Sequence, residues 1–509
     1  MHKHPFIPIT SAFASGIAAS VCFKLDLQAA IVLFAAAFLC QTSIVLSKRF
    51  EGYGARHAKG FAPLAMLFAL GIACNAVQSE AKPLACSARN FEAEITAAPQ
   101  EKPKSIQVYA KLRAEACAPA QAALYLQKDS LARTLGTGDL IYLQCKPEPT
   151  GSGYLLSRGI HYTTYVPSRS WTIAQRDSSF NLQRLSENAK EKLIAVFYRY
   201  LSPENAGMAA GLCLGDTSGI GKETKNDFAA TGVSHILSVS GMHVGLIYIA
   251  LCKLLSFMSF HPVSNRLKHI LVITAVWAYT FLCGLPAPGI RSAAMASIMA
   301  GARMTGRKAY DLNTLAFSCF CLLAINPAWL FDVGFQLSYA AVAGILTMGK
   351  AMTSTVRPEN KILRTVWEMT AISIAAQAAT LPLCLYYFHQ FPNYFLLANF
   401  LIGPASTLLI YLSLTLLAVS FFPPLAVACA WLCDLNADFI HISAKLIAAL
   451  PYSQTTGLTT SLSQACIITI FIASTYLFLK HKKFGYLATN LASVIIFLGI
   501  GIWNEITSF

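Results

Sequence analysis

Charge is what this 509-residue chain has least of. Asp, Glu, Lys and Arg make up 12% of it, about half the ~25% usual in soluble domains. Hydrophobic residues make up 55%, and mean hydropathy is +0.52. That balance excludes a soluble enzyme, a disordered chain and a small disulfide scaffold, and it points to a polytopic membrane protein. Metal and nucleotide motifs are missing too. The 15 cysteines form no C-x-x-C pair, and no H-E-x-x-H occurs. The run 215–222 has one residue too many before Gly-Lys for a P-loop, and Glu223 stands where Mg²⁺ needs Ser or Thr. Neither a cofactor nor a metal site is expected.

The net charge of +15 comes from 39 Lys and Arg against 24 Asp and Glu. It resembles a nucleic-acid signal until it is divided by position. The one long polar stretch, 79–205, carries 16 basic against 12 acidic residues. Most of the rest sits in short loops: Lys48, Arg49, Arg56 and Lys59; Arg266 and Lys268; Arg303, Arg307 and Lys308; Lys350, Arg357, Lys361 and Arg364; Lys480, Lys482 and Lys483. This is the positive-inside pattern, which sets orientation whatever the protein does. Apolar runs fall at 6–23, 28–46 and 61–77. They resume at 236–257, 270–284, 289–303, 312–326, 333–349, 367–388, 394–420, 424–450, 464–480 and 484–503. The expected fold class is therefore a polytopic α-helical membrane protein of about 11–13 segments. The first run lacks a small-residue cleavage site and reads as a membrane helix, not a removed signal. The N-terminus is expected to be cytoplasmic, and 79–205 to be outside.

Within that outer stretch the period changes from helical to alternating. Strand-like runs at 91–95, 106–112, 122–127, 139–146 and 153–166 are separated by Gly, Pro and Thr turns. Five short strands suit a small extracytoplasmic OB-like β-barrel. Lys102, Lys104, Lys111, Arg113, Lys128 and Arg133 are interleaved with Tyr109 and Tyr125, the mixture with which OB folds hold single strands; solvated strand faces are the alternative. Of the three cysteines here, Cys86, Cys117 and Cys145, an oxidising compartment would pair two and leave one over. An amphipathic helix follows, from Leu182 to Leu201.

In the membrane part, the short runs 270–284 and 289–303 meet at Gly284-Leu-Pro-Ala-Pro-Gly289. Pro and Gly at membrane depth free backbone groups, which is tolerated where protein or water receives them. An ordinary turn between tilted helices is the alternative. Arg291 follows and is either a contact for phosphate or a partner for freed carbonyls. Asp434, Asp438, His441 and Lys445 share one helix face by their 4-3-4 spacing. A hydrolase triad of Asp216, His235, Ser234 and Ser240 is conceivable in space, although neither serine lies in G-x-S-x-G. His235 and His243, eight apart, stand ~12 Å apart in a continuous helix and cannot chelate one metal together.

Four stretches in order carry a resemblance: Gly-Leu-Cys-Leu-Gly-Asp-Thr-Ser-Gly at 211–219 with Phe-Ala-Ala-Thr-Gly-Val-Ser-His-Ile-Leu-Ser-Val-Ser-Gly-Met-His-Val-Gly at 228–245; Gly-Leu-Pro-Ala-Pro-Gly-Ile-Arg-Ser-Ala-Ala-Met at 284–295; Asn326-Pro with Phe-Asp-Val-Gly-Phe-Gln-Leu-Ser-Tyr at 331–339; and Ala-Thr-Leu-Pro-Leu at 379–383 with Leu-Ala-Asn-Phe-Leu-Ile-Gly-Pro at 397–404. Together they closely resemble the ComEC family of competence proteins, the inner-membrane channels for DNA uptake. The resemblance implies N-terminal membrane helices (1–78), an OB-like domain (79–175), an amphipathic helix and motif region (176–235), a translocation domain (205–450) and C-terminal membrane helices (451–509). It implies a transport protein, not an enzyme, that passes single-stranded DNA through the plasma membrane. The path would involve Asp216, Ser218, His235, Ser240, Gly241, His243, Arg291, Asp332, Gln336 and Ser338. Lys104, Tyr109, Lys111, Arg113, Tyr125 and Lys128 would meet DNA outside. Expected partners are the lipid bilayer, a periplasmic or surface DNA receptor and a cytoplasmic strand-capturing protein or motor. Many relatives carry a further metallo-β-lactamase-like domain; its absence by Phe509 leads to the expectation of a separate nuclease. The competing class is an intramembrane or membrane-surface hydrolase acting on lipid or glycan.

Overall fold

The computed structural model describes the chain except residues 1–3, 47–54, 80–88, 98, 103, 115–118, 152, 157–158, 177–181, 238, 306–310 and 508–509. Three helices open it, α1 (Phe6–Phe23), α2 (Leu27–Leu46) and α3 (Ala55–Ser79). Eight strands follow: β1 (Asn90–Ile95), β2 (Gln100–Glu101), β3 (Ser105–Arg113), β4 (Ala120–Gln127), β5 (Leu140–Gln144), β6 (Glu148–Pro149), β7 (Tyr162–Val166) and β8 (Trp171–Gln175), with the short α4 (Gly153–Leu156) between β6 and β7. Next come α5 (Leu182–Tyr200), α6 (Pro203–Leu214), α7 (Lys222–Ala230), α8 (Gly241–Leu254), α9 (Pro262–Leu282), α10 (Ala287–Met304), α11 (Asp311–Ile325), α12 (Val333–Gly344), α13 (Lys350–Thr355) and α14 (Lys361–Phe388). The chain ends with β9 (Gln390–Pro392), α15 (Phe395–Val419), α16 (Pro423–Ala448), β10 (Gln454–Thr456), α17 (Leu462–His481) and α18 (Phe484–Thr507). It divides into two units, Met1–Glu191 with Ser297–Phe335, and Lys192–Ala296 with Gln336–Phe509.

In the first unit α1 packs on α3 and α11. Gly16 lies against the backbone of Phe68, and Gly71 against that of Phe13, so the absence of side chains lets α1 and α3 meet backbone to backbone. Polar side chains tie the same helices: Thr10 Oγ1 donates to the Ala316 carbonyl at 2.8 Å, and Asn75 Nδ2 to Ser20 Oγ at 3.1 Å.

The strands form one sheet in the order β6-β7-β4-β3-β1-β5-β8, with β2 paired to β3. Its longest ladder joins β3 and β4 from Ser105↔Gln127 to Leu112↔Ala120. Alternation works as expected: Phe91, Ala93, Ile95, Ile106, Val108, Leu124, Leu126 and Ile141 turn to one core. The expected run 153–166 is instead a turn of helix and then β7. β8 was not foreseen because Ser168–Ser170, a 3₁₀ turn, separates only five extended residues from β7. The sheet order ends at β6 and β8, so the described strands do not close into the barrel expected.

In the second unit one apolar core gathers α6, α15 and α16, and another gathers α8, α9 and α10. The run at 270–284 is not short after all. Helix α9 begins at Pro262, where His261 Nδ1 accepts from the Val263 N–H at 3.4 Å, and it runs 21 residues. α10 has 18 residues. Gly284 (φ +83°) and Leu285 (φ +50°) make the turn between them. Among the described residues, six helices are long and apolar enough to cross a bilayer: α1, the part of α3 at Gly60–Gln78, α14, α15, α16 and α17. Shorter apolar helices lie at Leu27–Ser43, Gly241–Leu254, Leu312–Ile325 and Phe484–Ile500. The protein is a polytopic membrane protein with a small β domain.

Candidate functional site

The motif residues of the second unit are held together by one buried helix. Pro203 starts α6 at its first turn, and the ten residues Asn205 to Leu214 are all buried. A helix hidden on every side needs small, apolar residues, and Ala-Gly-Met-Ala-Ala-Gly after Asn205 supplies them. Gly215 (φ +72°) ends it in the left-handed conformation, its N–H donating to the Gly211 carbonyl at 3.1 Å. A Cβ on Gly207 would stand 2.5 Å from the Gly219 carbonyl oxygen, so the 215–221 loop lies directly on α6.

Within that loop, Asp216 Oδ1 accepts from the Ser218 N–H at 3.0 Å, and Lys225 Nζ donates to the Thr217 carbonyl at 2.8 Å. Asp216 thus shapes its own turn, and Ser218 is exposed. Tyr279 Oη of α9 donates to the Cys213 carbonyl at 2.7 Å, joining the end of α6 to the turn before α10. Gly232 (φ +78°) sits beneath Pro392. His235 follows on an exposed 3₁₀ turn.

Ser240 precedes α8, and its N–H donates to Nδ1 of His243 at 3.2 Å. His243 is fully buried, at 0% exposure, and Arg291 is 3% exposed. A Cβ on Gly241 would stand 2.7 Å from Ser292 Oγ, which places the start of α8 against α10. Parts of the stretches singled out from sequence at 211–219, 228–245 and 284–295 therefore meet, with Tyr279 of α9 beside them. The expected triad of Asp216, His235, Ser234 and Ser240 is not joined by hydrogen bonds among the described residues: Asp216 accepts from the Ser218 N–H, and the His235 ring bonds the Gly232 backbone.

The other expected path residues lie elsewhere. Asp332, in the first unit, accepts from the Phe335 N–H at 2.7 Å and caps α12. Gln336 and Ser338 belong to the second unit, where Gln336 Oε1 accepts from Tyr387 Oη at 3.1 Å. On α16, Asp434 and Asp438 do share a face, and what they face is Asn205. Its Nδ2 donates to Asp434 Oδ1 at 2.9 Å and to Asp438 Oδ1 at 2.8 Å, and Ser202 adds its hydroxyl to Asp434 at 3.3 Å. Sequence reasoning missed Asn205, although it is the only polar residue from 205 to 214. Among the described residues, no group of three His, Cys, Asp or Glu is arranged to hold a metal.

In the sheet, the expected DNA-facing residues separate into different surroundings. Tyr109 is 9% exposed and covered by Leu155 and Ile160, so its ring offers no open face for a base, contrary to expectation. Tyr125 is half-buried. Gln107 Nε2 donates to the hydroxyls of both, at 3.3 and 3.4 Å. Tyr165, paired with Tyr125 across β4 and β7, is 58% exposed and was not singled out from sequence. Arg113 pairs with Glu94 at 2.7 Å, while Lys128 and Arg133 converge on Glu101 at 2.9 and 3.2 Å. The Lys128 ammonium, and then Arg133, hold the Glu101 carboxyl below the usual carboxylate range. Lys104 is exposed and Lys111 half-buried. Cys145 is a free thiol that burial pushes up to about 11; Cys86 and Cys117 lie outside the described residues, as do Lys48, Arg49, Arg307 and Lys308.

The family described as Competence protein matches residues 212–483. The chain is 26% identical over 320 residues to ComE operon protein 3 of Bacillus subtilis (strain 168), covering 63% of this chain and 38% of that one. It is 22% identical over 209 residues to YcaI of Escherichia coli (strain K12), covering 40% and 28% of the two. It is 30% identical over 176 residues to a protein of Aquifex aeolicus (strain VF5), covering 34% and 41%. The chain thus spans less than half the length of each of these relatives. No solved structure matches it.

Proposed function

The chain belongs to the competence protein family, and from that premise we propose that it conducts single-stranded DNA across the plasma membrane during natural transformation. The observation that carries the reading is the meeting of parts of the 211–219, 228–245 and 284–295 stretches, which brings the start of α8, with the buried His243, against the segment of α10 that holds the buried Arg291. A polyanion crosses a bilayer only along a path that answers its charge, and buried cations and helix N-termini answer phosphate. Asp216, Ser218 and His235 belong to the same stretches, and Gln336 and Ser338 serve the path in this reading; for Asp332 the role rests on the family resemblance alone.

In this reading the N-terminus is cytoplasmic and 79–205 lies outside, which the distribution of basic loops supports. The small β domain reads as an opened OB-like barrel, because residues of β1, β3, β4, β5, β7 and β8 share one core. Lys104, Lys111, Arg113, Tyr125 and Lys128 on it would meet the incoming strand, delivered by a surface receptor. A cytoplasmic strand-capturing protein or motor would receive it. The hydrolase alternative finds no support among the described residues, where Asp216 and His235 are engaged by Ser218 and the Gly232 backbone and not by each other.

Uptake of end-labelled DNA into the cytoplasm tests the proposal. Deletion should abolish entry and leave surface DNA binding intact. Arg291→Ala should lower entry at normal protein level, and Arg291→Lys should restore it in part, because a point charge replaces a planar fork. Normal entry in the deletion strain would refute the proposal.

A further inference from the structure

The entrance of α8 has the chemistry of an anion site. Because Nδ1 of His243 accepts from the Ser240 N–H, the proton of the neutral ring sits on Nε2. That nitrogen is buried, on a side chain at 0% exposure, and it has no hydrogen-bond acceptor among the described residues. Buried donors in proteins are nearly always answered. Beside it, the first backbone N–H groups of a 14-residue helix bring the positive end of the helix dipole. A Cβ on Gly241 would stand 2.7 Å from Ser292 Oγ, so the absence of a side chain there lets α10 come to the same place, one residue past the buried Arg291. Neither 239–245 nor 286–295 contains an acidic residue. Imidazole N–H, helix N-terminus and guanidinium are all donors or positive.

We infer that the α8 entrance binds one phosphodiester anion, with His243 Nε2–H as a direct donor. The inference rests on the DNA-path reading for its source, since a phospholipid headgroup offers the same chemistry. It assigns His243 a role that a helix cap alone would not have.

The capping role and the ligand role can be separated, because Gln and Glu at this helix position both reach back to the N-cap N–H. His243→Gln keeps the cap and an outward N–H. His243→Glu keeps the cap and places a negative charge where the anion would sit. The full chain, reconstituted in nanodiscs containing phosphatidylglycerol, would carry a benzophenone side chain at Met242, which is 41% exposed. Photocrosslinking to a labelled oligothymidylate should be retained by the Gln variant and fall about tenfold in the Glu variant. It should fall equally in the unsubstituted protein when the oligonucleotide has an uncharged methylphosphonate backbone; that arm decides if the Glu variant fails to fold. Crosslinking to phosphatidylglycerol alone, with the same Gln–Glu contrast, keeps the anion site and refutes the DNA reading. Equal crosslinking by both variants, or none to either probe, overturns the inference.

Discussion

The sheet of the first unit and the α6–α8 region of the second handle polarity in opposite ways. In the sheet, charge stays on the outer face and is answered there by opposite charge, as in Arg113–Glu94 and Lys128–Glu101. The core beneath it is apolar. Around α6 and α8, buried polar groups are met by carboxylates, a hydroxyl and backbone: Asn205 by two aspartates, Cys213's carbonyl by Tyr279, and Nδ1 of His243 by the Ser240 N–H. A soluble-type face tolerates substitution, whereas a buried polar contact has no water to replace a lost partner. The two regions should therefore respond very differently to single changes.

The largest effect tests whether the sheet's aromatics are core or surface. Tyr109→Ala should destabilise the β domain by roughly 3–4 kcal/mol, the cost of emptying a buried aromatic site. Tyr165→Ala, at an exposed position, should stay within about 0.5 kcal/mol while weakening single-strand binding if this face stacks bases. Limited proteolysis of the full chain reads the first, and oligonucleotide retention the second. Equal stability of the two variants would contradict the burial of Tyr109.

Next comes the glycine contact on α6. Gly207→Ala drives a methyl group into the Gly219 carbonyl, which should cost about 3 kcal/mol and reduce the detergent-stable protein seen by size-exclusion chromatography. Gly245→Ala meets nothing within 4 Å and should leave that amount unchanged. If both behave alike, the close crossing of loop and helix is not what holds α6.

How far these features were legible depends on whether period or packing decides them. The sheet was legible because alternation of Phe91, Ala93 and Ile95 with Glu92 and Glu94 follows from one face being buried. Its error was Tyr109, which occupies the outer face but is covered by Leu155 and Ile160 from a segment read as strand. The membrane segments were legible as hydropathy; α9 was not, because Arg266 and Lys268 dilute its first turns. Asp434 and Asp438 were recognised as one face, but their partner Asn205 is over 220 residues away and no local pattern connects them. The triad idea rested on the nearness in sequence of Ser234, His235 and Ser240, but His235 bonds the Gly232 backbone and Asp216 closes its own turn.

Asn205→Ala should cost about 2 kcal/mol, because it removes the donor shared by two carboxylates. The comparison sharpens if the partner is then changed. Asp438→Asn in the Asn205→Ala background removes one of two adjacent negative charges and should recover part of the loss. Thermal unfolding of the purified protein, followed by the four-variant cycle, gives the coupling. Strict additivity would mean that Asn205 does not bridge the two aspartates.

The smallest effect belongs to Arg113 and Glu94. Their side chains are 51% and 40% exposed, and such pairs contribute about 0–1 kcal/mol, less in salt. A double-mutant cycle with Arg113→Ala and Glu94→Gln should therefore return a small coupling that vanishes at high ionic strength. DNA binding gives the pair a second readout. If the sheet holds phosphate, Glu94 competes with it for the guanidinium, so Glu94→Gln should strengthen oligonucleotide retention while Arg113→Ala weakens it, both without change in stability. If Glu94→Gln leaves retention unchanged, Arg113 is a solvated strand residue, and the strand-facing surface must be sought around Tyr165 instead.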